Sequence, residues 1–226
     1  MIFGEVGLKL GAQKLSDQAN AFGFCPTDPT ASGACLQPTV PVIPFGQSSW
    51  FQTGRFPEAS YFQGRDPEVA ISAIGQDNDL ANPMQMALVG QAIANNGQEM
   101  VPKLVNEVRD ASGRVVKTYD PQVYGHPISS RTASEMTTMM ESVVSSGTGT
   151  AANIPGCNVA GKTGTAQHAT GAAPHAWFVS FAPNPNPKIV VAVIVLDGGS
   201  LGREATGGQV SAPIAKQVIE ASGACG

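Results

Sequence analysis

The chain has 226 residues, with 13 Lys and Arg against 17 Asp and Glu and a formal charge of −4. Charged residues make up 13% of it, about half the ~25% usual for soluble domains, and so sparse and slightly acidic a surface leaves no electrostatic footprint for a phosphate backbone; nucleic acid is not an expected partner. The longest uninterrupted apolar run, residues 189–196, has eight members, far below the ~18–20 that a membrane-spanning helix needs. The opening Met1-Ile2-Phe3-Gly4-Glu5 has no basic head followed by a sustained apolar stretch, so any export signal or membrane anchor is expected outside this chain.

In chain order, residues 4–22 read as a helix with Val6, Leu8, Leu10, Leu15, Ala19 and Phe22 as its apolar positions, weakened by Gly7 and Gly11. Residues 23–67 form a long connection rich in Pro and Gly that also carries Trp50, Phe51, Phe56, Tyr61 and Phe62, so it is expected to pack partly and to rim a cleft. Within it, Cys25 and Cys35 bracket a Pro/Gly/Thr turn short enough to close, which makes them a disulfide candidate in an oxidising compartment; two buried thiols are the alternative. The four cysteines (Cys25, Cys35, Cys157, Cys225) allow three complete pairings and include no Cys-x-x-Cys pair, so no metal is expected.

Asn82-Pro83 starts a helix with a capping side chain and a proline at its first position; Met86, Leu88, Val89, Ala92 and Ile93 give it an apolar face, and Asn95-Asn96-Gly97 stops it. Residues 101–108 and 115–119 flank the turn Asp110-Ala111-Ser112-Gly113 and read as a hairpin. Ser130 opens another helix, along which Met136, Met139, Met140, Val143 and Val144 form a core stripe. Residues 159–166, 176–182 and 189–197 read as three strands, and the short link 183–187 favours an antiparallel arrangement. Ser211-Ala212-Pro213 begins a closing helix with Ile214, Val218 and Ile219 facing inward. The expected fold class is α+β, an antiparallel sheet flanked by helices.

The candidate site is Lys162-Thr163-Gly164. On a strand, Lys162 and Gly164 share one face while Thr163 and Thr165 share the other. At a sheet edge Lys162 offers a compact positive charge, Thr163 and Thr165 offer hydroxyls, and Gly164, lacking a Cβ, lets a ligand lie against the backbone. These four residues suit an anionic peptide; a solvated lysine that keeps the edge from aggregating is the alternative.

Lys162 to Gln167 as KTGTAQ, followed by Ala176-Trp177-Phe178-Val179, resembles the transpeptidase domain of class B penicillin-binding proteins. Other features agree in order: Gly75-Gln76, Asn82-Pro83-Met84-Gln85-Met86-Ala87, Ala94-Asn95-Asn96-Gly97, Val101-Pro102-Lys103-Leu104 and Gly147-Thr148-Gly149-Thr150-Ala151-Ala152. The resemblance covers almost the whole chain and implies the penicillin-binding protein and β-lactamase-like fold. It implies a serine nucleophile that attacks the penultimate D-alanine carbonyl of a peptidoglycan stem peptide, an acyl-enzyme resolved by the amine of a second stem, and β-lactams that trap the same serine. Such sites combine Ser-x-x-Lys, Ser-x-Asn and Lys-Thr-Gly motifs. By resemblance, Lys162, Thr163 and Thr165 hold the terminal carboxylate and the backbone N–H of Thr165 is one oxyanion donor.

The chain departs from the family in one respect: no serine is followed by Lys three residues on, and none by Asn two residues on. None of the nucleophile and base residues is present. The resemblance places Ser-x-Asn just before a run like Phe3-Gly4-Glu5-Val6-Gly7-Leu8-Lys9-Leu10, and Ser-x-x-Lys farther upstream, so residues 1–226 are expected to be the C-terminal portion of a transpeptidase domain, incomplete at the N-terminus, with a missing N-terminal segment of the same protein as its first partner. The function expected of the parent is D,D-transpeptidation in peptidoglycan cross-linking at the extracytoplasmic face of the bacterial cell membrane, without cofactors, in company with division or elongation proteins, and inactive when this part is alone. The alternative is a non-catalytic β-lactam sensor or cell-wall interaction module on the same fold.

Two other signals are set aside. Gly198-Gly199-Ser200-Leu201-Gly202 matches the Gly-x-Ser-x-Gly elbow, but no histidine follows Ser200 and the next residues are Gly-rich. His126, His168 and His175 lack the paired spacing and carboxylate company of a metal site and read as solvated loop side chains; for His168 and His175, which flank the loop between the Lys162 strand and the next, lining the cleft is the alternative.

Overall fold

The computed structural model describes residues 2–27 and 54–226. Trp50, Phe51 and Cys35 lie outside them. The first helical run is broken in two, α1 (Ile2–Leu10) and α2 (Ala12–Ala21), because Gly11 adopts a φ of 87° that an α-helix cannot contain. The expected apolar face is also corrected. Gly4 and Gly7 are the buried residues of α1, whereas Val6, Leu8 and Leu10 are exposed with Ile2 and Phe3. The glycines let α1 approach α3 (Asp66–Ser72) so closely that a Cβ on Gly7 would lie 2.2 Å from the Cβ of Ala73. An apolar face of α1 is thereby left open to solvent.

Of the long connection, residues 23–27 and 54–67 are described. Strand β1 (Cys25–Pro26) pairs in parallel with β2 (Arg55–Phe56), Phe62 is buried, and Ser16 Oγ donates to Pro57 O at 2.8 Å. The helix α4 (Pro83–Ala94) starts as read: Asn82 Oδ1 accepts from Gln85 N–H at 2.8 Å. Beyond it, β3 (Glu99–Met100) pairs with β6 (Val123–Gly125), and the hairpin of β4 (Glu107–Arg109) and β5 (Val115–Thr118) turns where Asp110 Oδ1 accepts from the N–H groups of Ser112 and Arg114. Glu99 is fully buried with no hydrogen-bond partner for either carboxyl oxygen, and burial pushes its pKa up to about 8, so the group is held neutral at neutral pH.

Helix α5 (Ser130–Ser145) is capped by Ser129, whose hydroxyl accepts from Thr132 N–H. Met140 and Val144 of its stripe are buried, but Met139 is exposed and points away from the core. The antiparallel sheet of β7 (Ala160–Ala166), β8 (His175–Ala182) and β9 (Ile189–Val195) follows, in that spatial order. It is covered on both faces. Phe178, Ala182 and Val191 pack with Ala212, Ala215 and Ile219 of the last helix, α6 (Ala212–Ala221), while Phe181 and Ala160 pack with Ile93 of α4 and Met140 of α5. In α6 only Ile219 of the three expected inward residues is buried; Ile214 and Val218 are exposed, and small Ala212 and Ala215 take their place because the helix lies close on the sheet. A disulfide joins Cys157, just before β7, to Cys225, just after α6. Cys25 is also disulfide-bonded, and the expected pairing with Cys35 lies outside the described residues.

Candidate active site

Strand β7 stands at the edge of its sheet, so one row of its backbone groups has no strand beside it. Register fixes which row. Gln76 reaches from the segment after α3 and treats β7 as a neighbouring strand would: its Nε2 donates to Thr165 O at 3.0 Å and its Oε1 accepts from Gln167 N–H at 3.2 Å. Residues 165 and 167 therefore turn their peptide groups outward, and because N–H and C=O of one residue share a side in an antiparallel strand, Thr163 and the N–H of Thr165 face the same open edge.

The side chains divide as the strand period requires. Thr163 lies opposite Phe178 and Thr165 opposite Ala176, on one face; Lys162 and Gly164, opposite Val179 and Trp177, lie on the other. Lys162 overcomes that separation with its length: it is exposed, and its Nζ curls around the edge to donate to Thr163 O at 2.6 Å. No ion pair engages Lys162 among the described residues. Its ammonium, both threonines and the outward N–H of Thr165 thus meet at one margin, where an anion can be gripped from several sides.

Three further parts of this margin were not singled out from the sequence. Thr148, in the turn after α5, brings its Oγ1 to within 2.8 Å of Thr163 Oγ1. Gly207 and Gly208 bring the segment before α6 against both: a Cβ on Gly207 would lie 2.0 Å from Trp177 O and 2.7 Å from Gly164 O, and one on Gly208 would lie 2.0 Å from Thr148 O. Gln76 and Thr148 stood in the sequence only as landmarks of a pattern, with nothing local to give them a role, since their partners on β7 are 89 and 15 residues away.

Ser200 is exposed and is followed by single-turn helical segments rather than by an α-helix, which begins only at Ala212, so the Gly-x-Ser-x-Gly sequence forms no nucleophile elbow. The reading of the histidines is corrected for two of the three. His168 and His175 stack on one another and have carboxylate company in Asp197, whereas His126 is an exposed side chain.

A family model for the penicillin binding protein transpeptidase domain matches residues 1–220. The peptidoglycan D,D-transpeptidase PbpA of Mycolicibacterium smegmatis is 34% identical over 223 residues, which is 97% of this chain and 41% of that relative. Among solved structures, the D,D-transpeptidase domain of a peptidoglycan glycosyltransferase from Eggerthella lenta superposes with a TM-score of 0.76 at 31% identity, over 98% of this chain and 51% of that one. The penicillin G acyl-enzyme complex of penicillin-binding protein A from M. tuberculosis superposes with a TM-score of 0.72 at 31% identity, over 97% of this chain and 45% of that one. The chain spans two fifths of the length of the first of these relatives and about half of each of the other two. On the family model and these likenesses together, the chain belongs to the penicillin-binding protein transpeptidase domain family, and within it to class B.

Proposed function

We propose that the chain is the carboxylate-binding part of a D,D-transpeptidase that cross-links peptidoglycan, and that the β7 edge grips the terminal carboxylate of a stem peptide or of a β-lactam. The convergence of Lys162, Thr163 and Thr165 on one open strand edge carries this reading. Lys162 supplies the charge, and the Thr163 and Thr165 hydroxyls supply directed hydrogen bonds. Gly164 keeps the strand narrow enough for a ligand to lie along it. The outward N–H of Thr165 donates to the oxyanion that forms on the attacked carbonyl. A relative solved as a penicillin G acyl-enzyme supports β-lactams as ligands of the complete domain.

The reaction begins with a serine oxygen adding to the carbonyl carbon while a base takes its proton; the tetrahedral intermediate collapses and expels the terminal amino acid as an amine. This sequence holds neither Ser-x-x-Lys nor Ser-x-Asn. The nucleophile and base are therefore supplied by residues outside it, and the same segment covers the open apolar face of α1. The Cys157–Cys225 disulfide supports work in an oxidising compartment, on the extracytoplasmic side of the membrane. Fluorescent penicillin tests the division of labour: the intact parent protein is expected to become covalently labelled and residues 1–226 alone to remain unlabelled. Covalent labelling of this chain alone would contradict the assignment.

A further inference from the structure

The cluster of His168, His175 and Asp197 lies outside the carboxylate-binding margin. His168 sits two residues past β7, His175 opens β8 and Asp197 follows β9, so the loop between β7 and β8 is joined here to the segment that leaves the sheet. The imidazole rings stack with centroids 4.0 Å apart and planes inclined by 13°. Asp197 Oδ1 lies 2.9 Å from His168 Nε2 and 3.8 Å from His175 Nδ1, and one potential ligand atom from each of the three residues falls within 4.8 Å of the others. A tetrahedral zinc ion with bonds of ~2.0–2.1 Å to nitrogen and oxygen spaces its ligands ~3.3–3.4 Å apart. The two observed separations from the carboxylate bracket that spacing; because an ion lies in the plane of each ring that binds it and the stacked planes are inclined by only 13°, one imidazole must swing out of the stack for both to reach the same ion.

Both imidazole nitrogens nearest the carboxylate are engaged in hydrogen bonds that an ion would replace. His175 Nδ1 accepts from Asp197 N–H at 3.1 Å, so its lone pair reaches an ion only after that bond is given up. His168 Nε2 faces two acceptors, Asp197 Oδ1 and Ala173 O at 3.0 Å, and therefore carries its proton there. Ligation needs the other tautomer, with the proton passed through solvent from Nε2 to Nδ1 and the Nε2 lone pair turned to the ion. Asp197 itself holds a φ of 51°, a left-handed conformation that few non-glycine residues adopt and that collects at functional sites.

The frame around the cluster stands without an ion. Arg203 donates to Gly171 O across the same gap, and a Cβ on Gly198 would lie 2.8 Å from the Cβ of Ala205 and 3.7 Å from Pro174 O, so loop and segment are already packed together. We propose that His168, His175 and Asp197 bind a zinc ion, with the fourth position open to solvent, and that the ion fastens the β7–β8 loop to the segment after β9. Two neutral imidazoles and one carboxylate suit zinc better than magnesium or calcium, which prefer all-oxygen sites. The loop starts where Gln76 holds Gln167, so the ion stiffens the end of β7 that carries Thr165.

The test reads metal binding and is independent of the transpeptidase reading. Calorimetric titration of the full chain, stripped with EDTA and dialysed, with zinc chloride is expected to show one saturable site. His168→Gln and Asp197→Asn are each expected to weaken it by about tenfold or more, since loss of even an outer-shell partner costs ~10–100-fold. His126→Gln should leave it unchanged. X-ray absorption of the zinc-loaded wild type, which needs no variant to fold, is expected to show two histidine nitrogens and carboxylate oxygen around the metal. The absence of a saturable site, a site retained at full strength in both variants, equal loss in His126→Gln, or a shell without histidine would overturn the proposal.

Discussion

Replacing Lys162 by alanine in the intact protein is expected to slow acylation by penicillin G by about 10- to 100-fold. A charge-assisted hydrogen bond to a carboxylate is worth ~1.5–3 kcal/mol, and each ~1.4 kcal/mol is a factor of ten. The side chain is exposed and bonds only to the carbonyl of its own neighbour among the described contacts, so its removal opens no cavity and breaks no buried network. The melting temperature should therefore stay at the wild-type value while the labelling rate falls. Stopped-flow or gel-based labelling with a fluorescent penicillin measures the rate, and an unchanged rate would remove Lys162 from the site.

Loss of the Cys157–Cys225 disulfide is expected to cost ~4 kcal/mol, the chain-entropy estimate for a loop of this size, given a sequence separation of 68 residues. Its position argues for a large effect. The loop contains β7, β8, β9 and α6, and its closure holds the end of α6 beside the start of β7, where Ile219 packs with Val159 and Phe178 in one cluster. The double substitution Cys157→Ser and Cys225→Ser should lower the thermal midpoint of the intact protein by many degrees, and a reductant applied to the wild type, which also opens the disulfide of Cys25, should lower it at least as far. A midpoint within a degree of wild type for the double variant would refute the estimate.

These two cases also mark where the sequence was legible. The sheet was legible because residues 176–182 and 189–197 are β-prone runs bounded by proline and glycine, and the Asn82 cap followed from local side-chain chemistry. Lys162, Thr163, Gly164 and Thr165 could be singled out as a candidate because four adjacent residues carry their own pattern, and their role in binding a carboxylate is our proposal. What failed were inferences from periodicity where small residues decide the packing. Gly4 and Gly7, not Val6 and Leu8, face α3, and Ala212 and Ala215, not Ile214 and Val218, face the sheet, because close approach favours the residue with least side chain. Contacts between distant positions were equally hidden: the Gln76 clamp on β7, the Asp197 carboxylate beside two histidines, and a cysteine pair chosen from three possible connectivities.

The position of a bound carboxylate tests the central claim most directly. In a crystal structure of the intact protein acylated by penicillin G, the β-lactam carboxylate is expected within hydrogen-bond distance, ~2.7–3.1 Å, of the Thr163 and Thr165 hydroxyls and beside Lys162 Nζ, with the acyl carbonyl oxygen facing Thr165 N–H. A carboxylate held elsewhere, with the β7 edge left to solvent in the acylated protein, would contradict the account.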